Sequence, residues 1–280
     1  MHALPLLLAM ACAVALAPAL LRALVAGAHT RPNYRRRELP FPLGVLVLAA
    51  ATLALIPVEL VQRFASTELL HPEAVPIALY ALGVIGLGLV DDAFGAAAPG
   101  RAPARGWRGH AAAALRGELS TGMLKAAGSV GLALFAMSYL KLSDARWLLA
   151  AAVLVLATNV FNLLDLRPGR SIKAFVLLGA GLALGAGSAR TFWSLGLFCG
   201  PALVAGALDL RERGMLGDSG ASLVGALAGL WLVLTLSGSG QLVALGLLAA
   251  VTVYGELRSI SSLIERTPGL RQLDSWGRPS

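Results

Sequence analysis

Three short stretches of this chain place carboxylates where carboxylates are costly. Asp91 and Asp92 stand side by side in GLVDDAFG, at the end of an apolar run. Asp165 closes a second run in TNVFNLLDLRPGR, and Asp218 opens a third in GMLGDSGASLVG. Charged groups at membrane depth are expensive and are functional by default. Two adjacent carboxylates raise one another's proton affinity, which suits a base or a site that wants Mg²⁺. Acids at a helix C-terminus oppose its macrodipole, so capping is a poor account of the pair. Asn159, Asn162 and Asp165 recur every three residues and form one polar stripe on a helix. Such a stripe either glues two helices together or lines a nucleotide or metal site. Asp218 and Ser219 begin a helix, where they serve as an ordinary N-cap or where outward N–H groups offer an anion site. A carboxylate there, with Gly217 and Gly220 allowing close backbone approach, can hold Mg²⁺ beside a pyrophosphate. Lys125 lies in an apolar helix start, where it either snorkels to the headgroups or meets a lipid phosphate. The run Arg35, Arg36, Arg37 reads first as a topogenic signal. His2, His29, His71 and His110 show no ligand spacing, which argues against zinc.

The elements that must carry these residues are set by composition. Of 280 residues, 57% are hydrophobic and 14% charged, where soluble domains carry about a quarter charged. A soluble fold of this size could not hide so much apolar surface. A bilayer core needs about 20 apolar residues per helix, and nine such spans are predicted near 3–22, 42–62, 74–93, 121–140, 147–165, 173–188, 191–208, 219–237 and 240–257. The fold class is therefore an all-α polytopic membrane protein, with one transmembrane domain over 1–257 and an amphipathic tail over 258–280. The segment 95–118, rich in Ala, Gly and Arg, reads as a flexible or partly helical loop. The first run has no Lys or Arg before it and Arg22 after it, the reverse of a secretory signal, and so reads as a retained span.

Charge orients the spans. Arg22 to Arg37, Arg101 to Lys125, Arg167 to Lys173, Arg211 with Arg213, and Arg258 to Arg278 belong to one set of alternate loops and helix margins. These hold nineteen of the 23 Lys and Arg residues; Arg63, Lys141, Arg146 and Arg190 fall on the other side. The positive-inside rule then puts the N-terminus outside and the C-terminus in the cytoplasm. It also gathers Asp91, Asp92, Asp165 and Asp218 on the cytoplasmic face. The net charge of +8 reads as topology and contact with anionic lipid or substrate, not nucleic acid.

In this order and at these membrane positions, the motifs resemble those of the polyprenyl-phosphate N-acetylhexosamine-1-phosphate transferases. That family includes the phospho-N-acetylmuramoyl-pentapeptide translocase of peptidoglycan synthesis and the N-acetylglucosamine-1-phosphate transferases that begin teichoic-acid and O-antigen synthesis. The resemblance runs from about residue 31 to about residue 235. PNYRRRELPFPLG looks like the family's first cytoplasmic loop, with Arg37 in the basic position. Asp91 and Asp92 match the paired aspartates, GELSTGMLKAAGS supplies the lysine as Lys125, and Asn159, Asn162 and Asp165 match the start of the Asn-rich motif. GDSGASLVG, with Asp218, matches the motif whose aspartate holds Mg²⁺. Three departures stand out. The family continues from the Asp165 position as Asp-Gly-x-Asp-Gly, whereas this chain reads Asp-Leu-Arg-Pro-Gly-Arg, with Pro168 for the second aspartate. The translocase's His-rich loop is also absent, and the chain has one fewer span.

The resemblance implies an enzyme of the bacterial cytoplasmic membrane that transfers a phospho-N-acetylhexosamine from a UDP-sugar to undecaprenyl phosphate and releases UMP. It implies Asp91, Asp92 and Asp218 as catalytic, with Mg²⁺, or Mn²⁺ in its place, on Asp218. Arg37, Lys125, Asn159, Asn162 and Asp165 become the substrate-binding set, and a homodimer is an expected assembly. Two other readings compete. One is a catalytically silent relative that binds a prenyl-phosphate lipid, supported by Pro168. The other is a transporter using the acids as an ion path, which would instead spread them near the bilayer midplane on repeated elements.

Overall fold

The computed structural model of the chain describes residues 2–95 and 120–279. Beyond Gly95, the loop expected over 95–118 lies outside these residues. Twelve described helices follow one another, with a short hairpin after the first: α1 (Leu4–Ala26), β1 (Thr30–Pro32), β2 (Glu38–Pro40), α2 (Gly44–Phe64), α3 (Ala74–Phe94), α4 (Thr121–Met137), α5 (Asp144–Leu164), α6 (Arg170–Ala186), α7 (Arg190–Ser194), α8 (Gly196–Leu210), α9 (Gly217–Thr235), α10 (Gly238–Leu257), α11 (Ile260–Arg266) and α12 (Pro268–Ser275). Six of them, α1, α2, α3, α5, α9 and α10, are long and apolar enough to cross a membrane, as in a multi-pass membrane protein. Each of the nine predicted spans contains a helix. Those in α4, α6 and α8 have 17, 17 and 15 residues, roughly 25 Å at 1.5 Å per residue. The predicted seventh span breaks at Leu195 into α7 and α8.

The helix α9 is the axis of the bundle. It packs on α5, α3, α6 and α2 and is buried over nearly its whole length. Its sequence, GDSGASLVGALAGLWLVLT, explains how so many neighbours fit. Without a hydrophobic drive between helices in lipid, close packing of small residues holds them together. A Cβ on Gly225 would lie 2.7 Å from Thr158 Cα, and one on Gly229 would lie 3.1 Å from Leu154 Cα, so α5 rests directly on this face. Farther along, Trp231 stacks on Phe192 and meets Phe175 edge-on, with ring centroids 5.5 and 5.6 Å apart. By contrast α10 is mostly exposed, with Leu242, Val243 and Leu247 pointing outward; this is the surface that lipid would cover.

The hairpin is an addition to the all-helical expectation. Its register pairs Thr30 with Pro40 and Pro32 with Glu38. Asn33 turns the chain by accepting the N–H groups of Arg35 and Arg37 on its side-chain oxygen, at 2.8 and 3.0 Å. Polar side chains that bind nearby backbone in this way favour turns over helix. The strand end is then stitched to the α8–α9 turn: Met215 N donates to Pro40 O, and Leu43 N to Met215 O, both at 2.9 Å. The hairpin therefore fixes where α9 begins.

Candidate active site

Two helix ends, those of α3 and α5, and two helix starts, those of α4 and α9, meet at Lys125. Ser120 caps α4, its hydroxyl accepting Met123 N at 3.2 Å, and Lys125 follows one turn later. Its ammonium pairs with Asp218 and lies 3.5 Å from Asp91 Oδ2 and 3.3 Å from Asn162 Oδ1. Thr121 Oγ1 donates to the other Asp91 oxygen at 2.6 Å. The Lys125 side chain is 12% exposed, so it is held by carboxylates and an amide rather than extended to headgroups. Asp91, Lys125, Asn159 and Asn162 line a cavity of about 350 Å³ between α3, α4, α5 and α10. Ser129, Thr252 and Glu256 add polar wall, and Ala126, Val155, Leu156 and Leu163 add apolar wall.

Asp92 does something different. It is buried, and both its oxygens are taken by the first turn of α9: Oδ1 accepts Asp218 N at 2.7 Å, and Oδ2 accepts Ser219 N at 3.0 Å and Ser219 Oγ at 2.6 Å. The first N–H groups of a helix have no partner within it, and here a carboxylate from α3 supplies one across the helix interface. The outward N–H groups expected at Asp218 and Ser219 as an anion site are thus already satisfied from inside the protein. Close approach makes this cap possible. A Cβ on Gly88 would lie 2.6 Å from Ser219 N, and Gly217 adopts φ +72° with its Cβ position 2.9 Å from Asp92 Oδ2. At the end of α3, Arg31 Nη2 donates to Asp92 O at 2.6 Å while its guanidinium lies 4.1 Å from the Phe41 ring centroid. A cation at a helix C-terminus is favoured by the helix dipole.

The stripe on α5 divides its work. Asn162 turns to Lys125, while Asn159 Nδ2 donates to Thr252 Oγ1 on α10 at 3.3 Å. Asn159 thus ties α5 to α10 as helix glue, and both amides line the cavity. Asp165 ends α5, and its carboxylate has no hydrogen-bond or ion-pair partner among the described residues. It feels the charges of Asp209, Asp218, Asp92 and, in opposition, Lys125. Of the four aspartates named from the sequence, Asp91 and Asp218 contact Lys125, Asp92 caps α9, and Asp165 lies one turn beyond the Asn162 that meets the lysine. Among the described residues, no group of three or more His, Cys, Asp or Glu side chains is arranged to hold a metal unaided.

Arg37 is not brought to this cluster. It is 58% exposed on the hairpin tip, 3.6 Å from Glu212 Oε2. Glu212 is buried and also accepts Asn33 Nδ2 at 3.2 Å and Tyr34 OH at 3.1 Å. Asp209 was not among the sequence-derived candidates and is central here. Buried on α8, it accepts Gly169 N at 2.6 Å and Leu216 N at 3.3 Å, joining the loop after Asp165 to the start of α9. The signal was available, because Asp209 also sits at the end of an apolar run, in ALVAGALDL. Arg170 and Asp274 were missed as well. Both are nearly buried and are paired through two hydrogen bonds at 2.9 and 3.1 Å. Burial would raise the Asp274 carboxyl, but hydrogen bonds and charge from Arg170 and Arg278 hold it down at about 2. No sequence pattern announces a pair 104 residues apart.

Compared with known proteins, the chain matches no protein-family model and no curated protein.

Proposed function

We propose that this protein is a phospho-sugar transferase of the polyprenyl-phosphate N-acetylhexosamine-1-phosphate transferase type. It moves phospho-N-acetylhexosamine from a UDP-sugar to undecaprenyl phosphate in cell-envelope glycan synthesis. The observation that carries this reading is the Lys125 ammonium shared by Asp91, Asp218 and Asn162 on the wall of a cavity bounded by apolar helices. Such a site offers a charged end for phosphates and an apolar flank for a prenyl chain. In the reaction a lipid phosphate oxygen attacks the β-phosphorus of the sugar nucleotide, the pyrophosphate bond breaks, and UMP leaves. Phosphoryl transfer needs positioning and charge neutralisation more than covalent help. Lys125 holds the lipid phosphate from the cavity side. Asp91, the member of the pair whose carboxylate lines the cavity, orients that phosphate or takes its proton. Asp92 acts one step back, fixing the α9 start that presents Asp218. Asn159, Asn162 and Asp165 border the nucleotide, and exposed Arg37 offers charge to the incoming phosphates.

The residues fit a divalent cation. Among the described residues the Asp165 carboxylate has no side-chain partner, and Asp218 engages Lys125 through one oxygen. Mg²⁺ is usually held by one or two carboxylates together with substrate phosphates rather than by an all-protein cage. When bound by Asp218 and Asp165, it would supply charge stabilisation at the pyrophosphate. The nine-span arrangement, with the N-terminus outside, the C-terminus inside and the site facing the cytoplasm of a bacterial inner membrane, belongs to the same proposal and rests on the charge asymmetry of the loops. A homodimer is part of the proposal too.

The test is UMP release by purified protein given Mg²⁺, undecaprenyl phosphate and UDP-N-acetylglucosamine, beside Asp218→Asn. Release that requires both the lipid and Asp218 supports the transferase. Binding of the lipid with no release from any UDP-N-acetylhexosamine would replace it with the silent lipid-binding relative.

A further inference from the structure

The segment after α10 folds back under the loop that follows Asp165. Ile260 and Ile264 of α11 are buried, and a set of polar contacts ties the rest of the segment down. Asp274 of α12 accepts Arg170 Nε and Nη2 at 2.9 and 3.1 Å, and the third guanidinium nitrogen donates to Ser261 Oγ at 3.0 Å. Arg278 pairs with Asp274 and donates to Pro168 O at 2.8 Å. Lys173 donates to Leu273 O and Asp274 O at 3.0 and 2.6 Å, and Arg167 pairs with Glu265. At the far end Arg35 of the hairpin reaches Pro279 O at 3.0 Å. The tail therefore bridges the 166–170 loop and the hairpin that fixes α9.

The Arg170 and Asp274 side chains are 5% and 10% exposed. A buried pair of this kind is weak evidence for net stability, but breaking it strands a charge, and it can serve to specify one arrangement. The arrangement specified here is the path of the loop. On its other side Gly169 N is tied to Asp209, whose second oxygen takes Leu216 N, two residues before Asp218. Asp165 adjoins this doubly gripped loop, and among the described residues no side chain pairs with its carboxylate.

We propose that Asp274 is a positioning residue of the active site: through Arg170 and Arg278 it holds the 166–170 loop and so places the Asp165 carboxylate, one turn beyond the Asn162 that meets Lys125. Its kinetic consequence rests on the transferase reading, whereas its geometric consequence does not. The experiment pairs hydrogen exchange over residues 165–173 with UMP release, on the full chain in detergent, for Asp274→Asn and Asp274→Glu. In Asp274→Asn, loop amides should exchange about tenfold faster. Its kcat should fall about tenfold to a hundredfold with little change in KM for UDP-N-acetylglucosamine, because a misplaced group costs the transition state. Asp274→Glu should recover most of both. Unchanged loop exchange overturns the proposal, as does faster exchange with unchanged kcat. Faster exchange in a protein whose wild type releases no UMP supports the loop-holding role and overturns the transferase reading instead. Should Asp274→Asn not fold, Arg170→Met with Asp274→Leu removes both charges; a wild-type loop and wild-type kcat in that pair would also overturn it.

Discussion

Asp91 and Asp92 are adjacent in the chain but face different partners, and substitution should separate them. Asp92 spends both oxygens on the first turn of α9. Asp92→Ala leaves those N–H groups unsatisfied, so we expect a loss of about 1–3 kcal/mol, read as a lower midpoint of thermal unfolding. The Asp91 carboxylate meets Thr121 and Lys125 among the described residues. Asp91→Asn should therefore leave the midpoint nearly unchanged while UMP release falls by about 10²-fold or more, the usual scale for general acid–base groups. Equal thermal losses in the two variants would sink this division of labour. Lys125→Met removes the charge on which three acceptors converge, and kcat should fall about 10²–10³-fold, as when a charge-stabilising donor is lost. A Lys125→Met enzyme retaining wild-type kcat would remove Lys125 from the site.

At the scale of elements, the α3–α9 crossing and the tail are the two decisive contacts. Gly88 is the point where α3 lies on Ser219, so Gly88→Val should overpack the crossing and cost about 1–3 kcal/mol or more, with loss of UMP release even under conditions where the protein stays folded. Retained activity in folded Gly88→Val would show that the Asp92 cap is not needed. Tail docking has its own acid limit. The Asp274 carboxyl is depressed to about 2 in the folded protein, against an ordinary value of 3.8. A depressed acid stabilises fully above its unfolded value and loses that contribution as pH falls through its folded value. The charged groups facing it are Arg170, Arg278 and Lys173. The docked tail should thus be insensitive to pH from neutrality down to about 4 and release as pH falls from there toward 2. A fluorophore on Ser275→Cys, in a chain lacking Cys12 and Cys199, would report release; a midpoint near pH 6 would contradict the assignment.

For the whole molecule, the testable property is sidedness. If the proposed topology holds, a cysteine at Arg36 on the hairpin should react with an impermeant maleimide only after the inner membrane is opened. One at Lys141, between α4 and α5, should react in cells with only the outer membrane opened. The reverse pattern would place the acids outside, where no UDP-sugar is supplied. Much of the helical architecture is legible along the chain. The long apolar runs are helices, and Asp91, Lys125, Asn162 and Asp218 stand out in the sequence by their positions at the ends of such runs, where the fold joins them.

What the sequence determined by itself is what depends on local composition: helix type, the bilayer-scale length of six helices, and the placement of rare charges at helix ends, since each follows from the cost of exposing polar groups to an apolar surrounding. What only the tertiary structure decided is which rare charge meets which. Asp92 caps α9 from another helix, Asn159 and Asn162 face different neighbours, Asp209 and Asp274 grip one loop from two sides, and Arg37 stands with Glu212. These pairings join positions 7 to 175 residues apart. Their energies depend on distance in space and on burial, neither of which a linear pattern records.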